Sequence, residues 1–216
     1  MQVELLDHMG DDLDVVNAAR VSFAKFKEEM DESDEKLIAY LAREDHWSPF
    51  AHTSLKFRVR APIFVARQLA KHQVGAAWNE ESRRYVDDAP EFYYPDEWRG
   101  RAKNVKQGSG EVMDGGDQYL ANMTYEAAME HAMKAYHALL KRGVAPEMAR
   151  SILPQSTYTT WIWTGSLFFF ARMCKLRLDP HAQKETRDVA QQIYDHCQKI
   201  FPVSWEYLFA SRTGGK

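Results

Sequence analysis

The sequence predicts an α+β fold: a small, mainly antiparallel sheet carrying several helices, within one domain spanning 1–216. Three observations support it. "SLKFRVRA" alternates apolar and basic residues, as a half-buried strand does. "STYTTWIWT" concentrates Thr, Trp and Tyr, which favour strands. Long segments such as 117–141 have helical composition and are bounded by turn residues. At 216 residues and 45% hydrophobic content, the chain holds enough apolar material for a core of its own.

The elements follow in order. "DDLDVVNAARVSF" places Leu13, Val16 and Ala19 or Arg20 on one helix face. "SDEKLIAYLARE" opens on Ser33 as a cap and carries Leu37, Ile38 and Leu41 on one face. "EDHWSPFAH" breaks the pattern at Ser48 and Pro49 and reads as a loop. In the alternating strand, Leu55, Phe57 and Val59 point one way, and Lys56, Arg58 and Arg60 the other. Pro62 then opens a helix over "PIFVARQLAKHQ", which Gly75 ends or bends. "YYPDEWRGRAKNVKQGSGEVMDGGD" mixes Pro, Gly and charge and reads as a loop and insertion. A long helix follows from about Asp117 to Lys141, with Gly143 as its stop. "PEMARSIL" is a short helix ended by Pro154, and "STYTTWIWT" is the next strand. "SLFFFARMCKLRL" and "DPHAQKETRDVAQQIYDHCQKIF" are two further helices.

Composition excludes several functions. A net charge of -3 argues against bulk electrostatic binding to nucleic acid, while leaving room for a local basic pocket around a small anion. No apolar run approaches membrane-spanning length, and the acidic "MQVELLDHMGDDLD" does not resemble a secretory leader. Cys174 and Cys197 sit in no metal or nucleophile motif, which suits a reducing, cytoplasmic setting.

The densest chemistry lies in "KHQVGAAWNEESRRYV". Arg67 and Lys71 are four apart, as are Gln68 and His72, so polar groups gather at the end of the helix after Pro62. The following loop carries Asn79, Glu80, Ser82, Arg83 and Arg84. A solvated helix end and a binding site both fit that pattern. Arg150 and Arg177, each beside apolar residues, are either helix-end caps or clamps for a phosphate or a planar carbonyl pair. His46, His52 and His72 lack a Cys or carboxylate to complete a metal-ligand spacing. Gly108-Ser109-Gly110 has neither the preceding strand nor the spacing of a dinucleotide fingerprint. Arg99, Arg101, Lys103 and Lys106 read as a solvated basic loop rather than a nucleic-acid patch.

Six blocks in order, "GDDLDVVNAARVSF", "HWSPFAH", "APIFVARQ", "NEESRRY", "ARSILP" and "LRLDPHAQKE", resemble the flavin-dependent thymidylate synthases. The resemblance covers most of the chain, to about Ala190. It implies that family's non-Rossmann α+β fold and a methyltransferase converting dUMP to dTMP. The carbon would come from methylenetetrahydrofolate and the hydride from NADPH through FAD, with no enzyme cysteine as nucleophile. It also implies a homotetramer with shared sites and no nucleic-acid or membrane partner.

On the uridylate side the resemblance implies Gln68, Lys71, Glu80, Ser82, Arg83, Arg84, Arg150 and Arg177, with Arg177 catalytic at the uracil ring. Ser82 is there a phosphate contact; the other reading is a nucleophile with His72 as its base. On the flavin and folate side it implies His46, Ser48, Lys71, His72, Gln73, Asn79, Glu80, Ser166 and Arg172. Two places depart from the family pattern. Lys71-His72-Gln73 stands where Arg-His-Arg is usual, and the run on to Ser82 is a residue longer. Ser166-Leu167-Phe168 stands where Asn-x-Arg is frequent. The alternative reading is a uridylate-binding homologue that has lost flavin chemistry.

Overall fold

The chain opens with a strand that the sequence pattern does not predict, β1 (Gln2–Met9), in which Val3 alone is buried. The computed structural model describes residues 1–85, 88–103 and 108–210; Lys106 of the basic run lies outside them. Helix α1 (Asp12–Arg20) is capped by Asp11. Helix α2 (Glu32–Arg43) starts on Asp31, not on Ser33. The Asp31 carboxylate accepts the N–H of Ser33, and Asp34 reaches back to the cap residue's own N–H. A carboxylate suits the positive end of a helix better than a hydroxyl. Ile38 and Leu41 are buried, as their spacing predicts. The expected loop around Pro49 contains a one-turn helix, α3 (Ser48–Ala51), in whose first turn proline's missing N–H is no loss.

Strand β2 (Ser54–Pro62) bears out the alternation, with Leu55, Phe57 and Val59 fully buried. Helix α4 (Ile63–Leu69) is shorter than predicted, so Lys71, His72 and Gln73 lie in the turn beyond it. Gly75, at φ +86°, reverses the chain there. Asn79 and Glu80 then fall on an edge strand, β3 (Ala76–Glu80), rather than in a loop. Helix α5 (Gly115–Lys141) and the turn at Gly143 (φ +81°) match expectation. Helix α6 (Pro146–Ala149) runs into a 3-10 turn, Arg150–Ile152.

Strand β4 (Tyr158–Ser166) leads directly into helix α7 (Leu167–Arg177). Gly165 permits that junction, because an added Cβ would lie 2.5 Å from Phe169 Cδ1. Helix α8 (Lys184–Ile200) is followed by an unpredicted helix, α9 (Pro202–Ala210). The buried Asp12 carboxylate receives the first N–H groups of α9, from Val203 at 2.9 Å and Ser204 at 2.8 Å.

The sheet order is β1-β2-β4-β3, with every neighbouring pair antiparallel. Residues of α1, α2, α4, α7, α8 and α9 join the sheet's buried side chains in one core. Trp78 fastens the edge strand by stacking on Trp161 at 4.5 Å and meeting Trp163 edge-on at 5.3 Å. Among the described residues, no helix is long and apolar enough to cross a membrane.

Candidate functional site

The C-terminal ends of α4 and α7 meet. Arg177, last in α7, donates from Nε to His72 Nε2 at 2.9 Å and from Nη2 to the Gln68 carbonyl at 3.0 Å. Two of the sequence blocks are thereby joined. Because arginine only donates, His72 Nε2 is the acceptor and its proton sits on Nδ1. Burial lowers the His72 pKa to about 4, helped by the nearby charges of Arg177 and Arg172. His72 is therefore neutral at pH 7. Burial lowers the Arg177 pKa as well, but a guanidinium stays charged in any ordinary buffer.

The Gln68 side chain donates to the Gln183 side-chain oxygen, so Gln68 is held at both its carbonyl and its amide. Gln68, Gly108, Arg177, Asp179, His181 and Gln183 are among the residues lining a cleft of about 560 Å³. Arg177 thus caps a carbonyl at the end of α4 and also lines the cleft.

Near the end of β3, Glu80 is held at both oxygens, by Thr159 Oγ1 at 2.9 Å and Trp78 Nε1 at 3.2 Å. Ser82 Oγ accepts Arg84 Nε at 3.1 Å, and the Arg84 guanidinium lies 5.1 Å from the Tyr85 ring centre. Arg83 donates to the Asp88 carbonyl at 2.8 Å, and its Nε is buried without a partner among the described residues. Arg150 is exposed and donates to the Glu147 carbonyl at 3.2 Å. Lys71, Gln73 and Asn79 are exposed.

A third group lies across α3 and α7. Trp47, 55% exposed, packs 6.1 Å from Phe168, and the Arg172 guanidinium lies 5.9 Å from the same ring. His46, exposed, meets the Tyr40 ring edge-on at 5.7 Å, and Ser48 is exposed at the start of α3. The Ser166 hydroxyl accepts the N–H of Phe169 at 3.1 Å, so it caps α7. Sequence reasoning marked the neighbours of Trp47 and Gln183 but neither residue. Their signal was an aromatic side chain in a polar break, and an amide inside a quoted block.

Both cysteines are buried, and desolvation pushes both thiols well up. Among the described residues, no group of three or more His, Cys, Asp or Glu is placed to hold a metal ion.

Residues 4–203 match the family described as thymidylate synthase complementing protein. A flavin-dependent thymidylate synthase from Thermus thermophilus is 42% identical over 98% of this chain and 79% of its own length. The chain belongs to this family. A second flavin-dependent thymidylate synthase, from Thermosipho africanus, is 40% identical over 94% of this chain and 89% of its own. The fold found here is shared with the solved UMP/dUMP methylase PolB from Streptomyces cacaoi bound with 5-Br dUMP. That structure covers 97% of this chain and 95% of its own, at 36% identity and a TM-score of 0.87. With 5-Br UMP bound, the TM-score is 0.86.

Proposed function

We propose that this chain methylates dUMP to dTMP, with methylenetetrahydrofolate as carbon donor and NADPH as reductant through bound FAD. The observation that supports it most is the Gln68–His72–Arg177 cluster at the cleft. With one part of its guanidinium held by His72 and Gln68, Arg177 has donors left for a planar pair of carbonyl oxygens. It can stabilise negative charge developing on the uracil ring. His72, being neutral, adds no cation that would push the arginine away. Gln68 and Glu80, each anchored by other residues, orient the nucleotide. Ser82 with Arg84, Arg83, Lys71 and Arg150 supply donors and charge for the phosphate dianion. Ser82 is a contact in this scheme, since its hydroxyl already faces the Arg84 guanidinium.

The Trp47–Phe168–Arg172 surface fits a flat aromatic group bearing phosphates, and Arg172 connects it electrostatically to His72. With His46, Ser48, Gln73 and Asn79, these residues would hold FAD and the folate; Phe168 offers a ring face where the family pattern has an arginine. When bound, the flavin supplies the redox chemistry. The buried thiols support a route without a cysteine nucleophile. The single domain is read as a homotetramer with shared sites. In support, α5 buries only Met129 and Tyr136 and leaves Tyr119, Leu120 and Met123 exposed. The reduced-cysteine composition supports a cytoplasmic setting.

The test is dTMP formation by purified protein given dUMP, methylenetetrahydrofolate and NADPH, with and without FAD. Flavin-dependent product is expected. Bound dUMP with no product under any flavin concentration would favour the second reading, a nucleotide-binding homologue. Lys71 and Gln73 in place of the family's arginines, and Ser166-Leu167-Phe168 in place of Asn-x-Arg, are the features behind that reading. Running UMP beside dUMP shows whether the ribose 2′-hydroxyl is tolerated.

A further inference from the structure

Arg99 and Ser109, both described residues of the predicted 99–116 loop, are joined to the start of α8 through an ion pair. Arg99 Nη2 lies 2.5 Å from Glu185 Oε1, with side chains only 17% and 6% exposed. Arg99 Nε also donates to Ser109 Oγ at 2.8 Å. The backbone supports this arrangement: Arg99 bridges Val112, and Gly100 N–H reaches the Glu111 carbonyl at 2.8 Å. Gly108 packs so closely on His181 that an added Cβ would stand 3.3 Å from the His181 carbonyl.

Glu185 lies in the first turn of α8, two residues after Gln183. The N–H groups of Thr186 and Arg187 both close on the Gln183 carbonyl at 3.0 Å. Gln183 is therefore hydrogen-bonded into that turn. The Gln183 side chain receives Gln68, whose carbonyl receives Arg177, which in turn holds His72. A continuous set of contacts thus runs from Ser109 to the cleft.

Burial alone would raise the Glu185 pKa; the Arg99 hydrogen bond, its own backbone N–H and the Gln183 amide lower it, and the lowering wins. Lysine would meet the carboxylate but has no second edge for Ser109, so the rigid fork of arginine is what the geometry uses.

We propose that Arg99 and Glu185 are positioning residues: their ion pair fixes the first turn of α8, and through Gln183 and Gln68 it sets the guanidinium of Arg177. The effect on substrate rests on the reading of Arg177 as the uracil-facing group; the mechanical link does not.

Two measurements separate these. The titration of the His72 ring, followed by heteronuclear NMR without any ligand, reports whether Arg177 still abuts it. Calorimetry with dUMP reports the site. In Arg99→Met and in Glu185→Gln, the His72 pKa should rise above about 4 by the share that the Arg177 charge contributes, with burial still holding it below 6.5, and the Kd for dUMP should rise roughly tenfold. Arg99→Lys should recover part of both. The double variant should be no worse than either single one, because both break the same link. Folded Arg99→Met and Glu185→Gln proteins with parental His72 titration and parental dUMP affinity would overturn the proposal.

If those variants do not fold, Ser109→Ala removes the brace alone. A smaller rise in the His72 pKa supports the link, and no change overturns it. Should the parent protein itself fail to bind dUMP, the functional reading fails, while the His72 titration still decides whether the ion pair sets Arg177.

Discussion

Replacing Arg177 with alanine removes a group engaged in two directions at once. A guanidinium carries five N–H donors, and two are used on His72 Nε2 and the Gln68 carbonyl. Those two bonds contribute about 1–3 kcal/mol together. For a chain of this size that lowers Tm by roughly 2–12 °C, so the fold survives. The effect on chemistry is larger. Losing a preorganised donor from developing negative charge costs about 3–4 kcal/mol, or roughly 100- to 1,000-fold in kcat. Arg177→Lys keeps the charge but cannot serve His72, Gln68 and two ring oxygens together, so it should fall between the parent and the alanine variant. Initial rates of dTMP formation, dUMP titration by calorimetry and thermal unfolding by circular dichroism measure the three quantities. A folded Arg177→Ala protein that turns over within a few-fold of the parent would refute the assignment.

Three further outcomes follow from the same geometry. His72 has a pKa of about 4 when folded against an ordinary 6.5, so between those values the unfolded chain binds a proton that the native chain does not. Its contribution to stability is complete above pH 6.5, falls as pH drops toward 4 and levels off below. Urea unfolding across that range should show a slope that His72→Gln lacks, and parallel profiles would contradict the depressed pKa. Cys174→Ala and Cys197→Ala should each lower stability by about 1–2 kcal/mol while leaving turnover intact in folded protein; a chemical defect at unchanged Tm would reinstate a thiol mechanism. Asp34, fully buried, lies 2.5 Å from both Arg20 Nη2 and Lys27 Nζ. Asp34→Asn should therefore lower Tm, because Arg20 loses its carboxylate while Lys27 keeps only Asp31, at 2.6 Å. A Tm within a degree of the parent would show that the cluster is solvated.

Among the strands, the two that the sequence pattern predicted are those whose burial alternates. β2 alternates because one of its faces is buried, and the Thr- and Trp-rich β4 sits against it. Edge strands lack that signature: β1 buries only Val3, and β3 has five residues with none fully buried. α9 was missed for the opposite reason, since "PVSWEYLFA" is apolar around much of its circumference and shows no clear face. Ser33 was an acceptable cap by residue type. Asp31 took the position because its carboxylate and that of Asp34 close the helix start reciprocally.

For the candidate site, the sequence by itself determined the inventory: a polar run after an apolar helix, two arginines beside apolar blocks, and cysteines outside any motif. These are local properties, set by residue type and by neighbours within a turn or two. Only the tertiary structure decided which of them touch. His72 and Arg177 are 105 residues apart in the chain, and Gln68 and Gln183 are 115 apart. No periodicity encodes such pairings, because each depends on where two helices end after the core has packed. The same packing buried Cys174 and Cys197, gave the Ser166 hydroxyl to a helix cap, and left Trp47 half-exposed beside Phe168 and Arg172.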